Sequence, residues 1–165
     1  MITLPATRTL YLAGFLFCTA LIIIALYFQH GLGMEPCPLC ILQRLAVIAV
    51  GLVLLLAAVV NPVGLGRRLV GILVIITAAA GGAVSARHVW LQNLPKDLVP
   101  ACGPDLDYML EVFSFSETLD MIFKGSGECA KVSWSLLGLS MPGWMLVIFF
   151  AFVLFGFWTT FSKRP

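Results

Sequence analysis

Residues 37–60 read CPLCILQRLAVIAVGLVLLLAAVV. Cys37 and Cys40 open the stretch as a C-x-x-C. From Ile41 to Val60 the run is broken only by Gln43 and Arg44. A helix rises about 1.5 Å per residue, so a run of this length spans roughly 30 Å, the thickness of a bilayer's hydrocarbon core. The stretch therefore sets two thiols where water meets an apolar phase, with an arginine one helical turn deeper.

Three further apolar runs flank it: Leu10–Phe28, Leu69–Ala86 and Trp144–Phe161, each 18 or 19 residues long. Buried core helices of soluble proteins are rarely so long or so uniformly apolar. The composition agrees: 61% hydrophobic, 11% charged, with a mean hydropathy of +1.04, where soluble domains carry about 25% charged residues. A chain of 165 residues suffices for one compact bundle. The expected architecture is an all-α membrane protein. It is a single domain over 1–165 with spans near 10–28, 41–60, 69–86 and 144–161. Leu10–Phe28 is longer than a signal-peptide core of about 7–15 residues, and no small-residue cleavage site follows it, so it reads as a retained span.

Charge orients the bundle. Four spans put both termini and the 61–68 loop on one side, which carries Arg8, Arg67, Arg68, Lys163 and Arg164 and no acid. The other side carries all eight acids among five cations. Lys/Arg bias marks the cytoplasmic face, so loops 29–40 and 87–143 are expected outside. Cys37, Cys40, Cys102 and Cys129 all fall on that outer, oxidising side. Cys18 lies mid-span, where a cysteine is ordinarily a small packing residue.

Pro38 favours a first helical position and disfavours helical geometry at Cys37. Cys37 is thus the expected N-cap of span two and Cys40 its third helical residue. Open N–H groups and the positive helix end there favour thiolate. Arg44, i+4 from Cys40, shares its helix face. A charge one turn inside a span is costly and by default functional; the bland alternative is an arginine snorkelling to headgroups. Ala78-Ala79-Ala80-Gly81-Gly82-Ala83 reads as a helix-packing seam. In the long outer loop Cys102 sits in the turn-rich Pro100-Ala101-Cys102-Gly103-Pro104. Phe113–Phe123 reads either as a short interfacial helix capped by serine or as an ordinary loop helix. Trp144 and Trp158 mark the two interfaces.

A C-x-x-C alone is a redox pair, half a zinc site, a soft-metal site or chance. Zinc needs two further ligands; Cys102 and Cys129 could supply them, but no second C-x-x-C exists, the outer face is oxidising, and neither His30 nor His88 offers a ligand cluster in sequence, so no metal is expected. The redox reading uses more of the chain. One close thiol pair lies at the membrane surface and a second, Cys102 and Cys129, in an outer loop. Electrons pass between such pairs through mixed disulfides. With no protein cofactor motif present, a lipid-soluble quinone is the natural acceptor.

The combination resembles the bacterial disulfide bond formation protein B (DsbB) family, membrane quinone oxidoreductases. The matching stretches are Cys37-Pro38-Leu39-Cys40 with Arg44, Arg87-His88-Val89-Trp90-Leu91-Gln92, Cys102, Ser126-Gly127-Glu128-Cys129-Ala130, and Leu137-Gly138-Leu139-Ser140-Met141-Pro142-Gly143-Trp144. The resemblance implies a four-helix bundle of the bacterial inner membrane with a long periplasmic loop. It implies that Cys102 accepts the mixed disulfide from a periplasmic thioredoxin-like oxidant of the DsbA type. Cys129, initially paired with Cys102, then relays to Cys37, and Cys40 delivers electrons to ubiquinone or menaquinone. Arg44 would hold the quinone site, with His88 near it, although a histidine in that position alone is more ordinarily a wet interfacial one. Bonds Cys37–Cys40 and Cys102–Cys129 are expected at rest, with Cys18 a free thiol. Two rivals remain. The vitamin K epoxide reductase family also joins four helices, C-x-x-C and quinone, but its active C-x-x-C falls late in the chain. A non-catalytic module with structural disulfides would not need Arg44.

Overall fold

A computed structural model describes residues 7–95, 114, 117, 129–130 and 134–161. Among these the helices are α1 (Thr7–His30), α2 (Pro38–Val60), α3 (Leu65–Gln92) and α4 (Met141–Phe161). All four are long and apolar enough to cross a membrane. Each begins at least three residues before its apolar run, and α1 and α3 also continue past theirs. The reason is that the helical backbone satisfies its own hydrogen bonds into the interface, beyond the strictly hydrocarbon layer.

Pro38 occupies the first turn of α2, and Cys37 is its N-cap with extended backbone (φ −69°, ψ 162°). At the other end Asn61 turns left-handed (φ 47°, ψ 57°), its N–H donating to the Ala57 carbonyl, and Pro62 prevents continuation. The short connection makes α2 and α3 antiparallel neighbours. In order, α1 packs on α2, α2 on α3 and α3 on α4. Aromatic pairs bridge α1 to α4: Tyr11 meets Phe155 edge-on at 6.3 Å, and Phe17 lies 6.1 Å from Phe152.

The core runs through Tyr11, Cys18, Val47, Val50, Leu54, Val74, Ala78 and Phe149. Leu16, Ile23, Leu56, Val60, Phe150 and Phe161 are more than half exposed. So much outward apolar surface belongs against lipid. The chain is thus a multi-pass membrane protein.

Small residues bring the helices together where lipid gives no hydrophobic drive. Of the expected seam, Ala78 and Gly81 face inward and Ala79, Ala80 and Ala83 are exposed, as helical spacing dictates. A methyl on Gly81 would run into the Phe149 ring, 2.5 Å from its Cε1, and stand 2.8 Å from Ala46 Cβ. Cys18 packs against Gly51, whose added Cβ would lie 3.2 Å from Cys18 Cβ, so it is the packing residue expected.

Sequence reading assigned no strand to the outer loop. The structure has a hairpin, β1 (Ser135–Leu136) with β2 (Leu139–Ser140), pairing Ser135 with Ser140 and Leu136 with Leu139. Its two-residue turn, Leu137 and Gly138, has both φ angles positive, 54° and 81°, as a type I′ hairpin requires. Leucine in the first turn position disguises the signal. Trp144 donates its indole N–H to the Leu136 carbonyl at 3.1 Å, clamping the hairpin to α4. Of the expected 113–123 helix, only Ser114 and Glu117 are described; the rest, like Cys102, lies outside the described residues. Glu117 accepts from the Ser114 N–H at 3.1 Å and its hydroxyl at 2.8 Å. The N–H bond is the reciprocal half of a capping box.

Candidate active site

The site starts from the first turn of α2. Cys37 and Cys40, three residues apart, turn to one side, and their sulfurs are 3.2 Å apart in a thiol hydrogen bond. The expected resting bond is thus not what the structure holds: the pair is present as two thiols. Leu39 between them is fully buried, in a cluster with Cys37, Val84, Leu91 and Cys129. This cluster fixes the C-x-x-C against the end of α3 and against a loop cysteine 92 residues later in sequence (129 − 37).

Cys129 is buried, as is His88. His88 Nε2 lies 3.1 Å from the Cys129 carbonyl oxygen and 3.8 Å from Cys37 Sγ. A carbonyl only accepts, so Nε2 carries the hydrogen. Nδ1 is buried with no partner among the described residues. Ligand atoms of Cys37, His88 and Cys129 all fall within 4.8 Å of one another. Read along the chain, His88 has no ligand cluster. The fold corrects that, because its companions lie 51 and 41 residues away. Beside it, the Arg87 guanidinium stacks 4.2 Å over the Trp90 ring.

Arg44 is neither free nor snorkelling. Its Nη1 donates to Gln29 Oε1 and its Nη2 to the Ala25 carbonyl at 3.2 Å, both on α1. Its neighbour Gln43 is buried and donates to Ser85 Oγ at 3.0 Å, and Ser85 donates to the Gly81 carbonyl at 2.9 Å. The two polar residues of span two thus tie α2 to α1 on one side and to α3 on the other.

Below the thiols a cavity of about 380 Å³ opens between the helices. Leu21, Ile22, Ala25 and Phe28 of α1 and Met141, Met145 and Ile148 of α4 form its apolar walls, with Trp134 and Trp144 at the side. Cys37, Cys40, Gln43, Arg44, His88 and Gln92 form its polar end. The ring of Trp134 packs 5.8 Å from Phe28. Sequence reasoning missed Gln29, Gln43, Ser85 and Trp134. Gln43 was visible as the other polar break in span two; the rest depend on helix neighbours.

Comparison with known proteins decides the family. The model of the family "Disulfide bond formation protein DsbB" matches residues 7–159. The chain belongs to the DsbB family. Disulfide bond formation protein B of Methylococcus capsulatus is 52% identical over 159 residues, 94% of this chain and 97% of that protein. The protein of the same name from Saccharophagus degradans is 50% identical over 160 residues, 97% and 96% of the two chains. Disulfide bond formation protein B 1 of Pseudomonas aeruginosa is 45% identical over 150 residues, covering 91% and 92%. The chain is therefore a membrane protein of disulfide bond formation, an oxidoreductase.

Proposed function

We propose that this chain is a quinone-dependent thiol oxidase of the bacterial inner membrane. It reoxidises a periplasmic thioredoxin-like disulfide donor of the DsbA type and passes the electrons to ubiquinone or menaquinone. Both termini are cytoplasmic, and loops 29–40 and 87–143 are periplasmic. The observation that carries this reading is that loop residue Cys129 is buried against Cys37 while Cys40 and Arg44 line an apolar cavity. Thiols from two sources meet at the mouth of a space suited to a flat apolar molecule.

The residues fit a quinone. The cavity lies within the ordinary size of ligand pockets, roughly 300–1,000 Å³. Arg44 has five N–H donors and sits at the polar end of an otherwise apolar wall. A bound quinone would supply the oxidant, accepting two electrons and two protons.

The chain's own steps are thiol exchange. A reduced partner's thiolate attacks Cys102 of a Cys102–Cys129 disulfide, forming a mixed disulfide and releasing Cys129 as thiolate. The partner's second thiol resolves that bond, leaving the partner oxidised. Cys129 attacks Cys37 of the Cys37–Cys40 disulfide, and Cys40 leaves as thiolate. Attack by Cys102 on Cys129 then restores the loop disulfide and releases Cys37. His88 anchors the Cys129 main chain next to Cys37, and Arg44, one turn below Cys40, orients the acceptor.

The test is to give purified protein a reduced thioredoxin-like partner and quinone and to follow partner thiols and quinone absorbance together. Equal consumption, one quinone per dithiol, is expected. Partner oxidation without quinone reduction would overturn the assignment of the acceptor.

A further inference from the structure

The thiol form of the site has the makings of a soft-metal centre, which the exchange chemistry above does not require. Cys37 and Cys40 are thiols in the structure, and Cys129 Sγ lies beside Cys37. Cys37 Sγ lies 3.2 Å from Cys40 Sγ and 3.8 Å from His88 Nε2, and the Cys37, His88 and Cys129 ligand atoms are mutually within 4.8 Å. Tetrahedral zinc bonds of about 2.3 Å to sulfur and 2.0 Å to nitrogen set neighbouring ligand atoms roughly 3.5 Å apart. The two spacings measured from Cys37 Sγ, 3.2 and 3.8 Å, bracket that value.

We propose that the reduced protein binds one Zn²⁺ or another soft divalent cation through Cys37, Cys129 and His88, with Cys40 as fourth ligand. Three features of the site support it. Cys37, His88 and Cys129 are buried, so the cation meets few competing waters. His88 Nε2 already points at the cysteine sulfurs, and it becomes a ligand when its hydrogen moves to Nδ1 and the metal bond replaces its hydrogen bond to the Cys129 carbonyl. Three thiolates and one imidazole around a divalent cation carry a net charge of −1, and the Arg44 guanidinium one helical turn below Cys40 offsets it. Each thiol that binds releases its proton, so uptake lowers the pH of an unbuffered sample and weakens in acid. No electrons move. Oxidising Cys37 and Cys40 to a disulfide removes two ligands, so the site exists only in the reduced half of the cycle. The inference needs the thiol form alone and is independent of the quinone assignment.

The experiment uses the full chain in detergent, reduced with a phosphine that does not bind metal. Titration with Cd²⁺ is followed by the thiolate-to-cadmium charge-transfer band, and Zn²⁺ binding by equilibrium dialysis. One ion per reduced chain and none per oxidised chain are expected. Cys37→Ser, Cys129→Ser and His88→Ala each weaken binding by about tenfold or more, since each removes a ligand. Cys18→Ser and Cys102→Ser leave it unchanged. Absence of stoichiometric binding by the reduced chain overturns the proposal. So does binding that survives Cys129→Ser and His88→Ala, or that is lost with Cys102→Ser, which would identify the loop pair as the site.

Discussion

At the end of the bundle remote from the C-x-x-C, α3 and α4 meet almost backbone to backbone. A methyl on Gly71 would stand 2.7 Å from the Thr159 hydroxyl and 2.8 Å from the Gly156 carbonyl oxygen. One on Gly156 would stand 2.7 Å from Ile75 and 2.9 Å from the Gly71 carbonyl oxygen. Thr159 and Thr160 turn their hydroxyls back onto the Gly156 carbonyl, each at 2.8 Å, so neither hydroxyl is left for lipid. At the cysteine end α4 instead faces α1 across a cavity whose walls include Met141 and Met145. Methionine is flexible and polarisable and adapts to irregular contents. One end holds the helices at a fixed separation through residues too small to replace. The other uses that separation to keep a space open, with Gln43 and Arg44 as struts to α3 and α1. Stability and chemistry thus occupy opposite ends of one bundle, and substitutions at the two ends should fail in different ways.

The largest expected effect lies at the open end. Cys102→Ala should abolish oxidation of the protein partner while leaving quinone bound, as read by turnover assay and by extraction of quinone from purified protein. Loss of quinone in this variant would show that loop and cavity are not separable functions.

Next is Arg44→Gln. It removes a charge-assisted donor to the acceptor and also releases Gln29 and Ala25. Losing one such hydrogen bond costs about 1.5–3 kcal/mol, roughly 10- to 150-fold in quinone utilisation. Steady-state kinetics at varied quinone should show a raised KM in protein that is still inserted and folded. Arg44→Lys should restore part of the charge effect and less of the geometry. Wild-type kinetics in Arg44→Gln would mean the arginine only ties α2 to α1.

The tight end should respond in stability instead. Gly156→Leu overpacks the seam, and such insertions typically cost about 1–3 kcal/mol. Denaturation in mixed micelles should register that loss, with the quinone KM of the surviving folded fraction unchanged. A shifted KM would mean the two ends are mechanically coupled.

The smallest effect is beyond the bundle, at Ser114 and Glu117. The Ser114 hydroxyl and N–H hold the Glu117 carboxyl below its ordinary value of 4.5. A depressed acid stabilises fully above its ordinary value, and the contribution fades as pH falls through the lowered one. NMR titration should find Glu117 still ionised where ordinary glutamates are half protonated, and Ser114→Ala should move it back up.

Much of this division was legible in the sequence. Apolar runs gave the four spans because length and composition alone decide whether a helix crosses lipid. Pro38 fixed the N-cap at Cys37 by local sterics. The i+4 spacing put Arg44 on the Cys40 face, yet whether it snorkels or is held depends on Gln29 and Ala25, which reach it from another helix. His88 read as a bland histidine because its companions are distant in sequence. The hairpin stayed hidden because leucine occupies a turn position that favours asparagine or glycine. Local rules recovered the elements, and what they missed lay at junctions between elements.

The bond from His88 ends on the main-chain oxygen of residue 129, not on its side chain. Every amino acid offers that oxygen, so registration of the loop is indifferent to which residue stands there. Replacing Cys129 by serine silences the sulfur while preserving the anchor. Delivery of the loop and its reactivity are thereby written into different atoms of one residue.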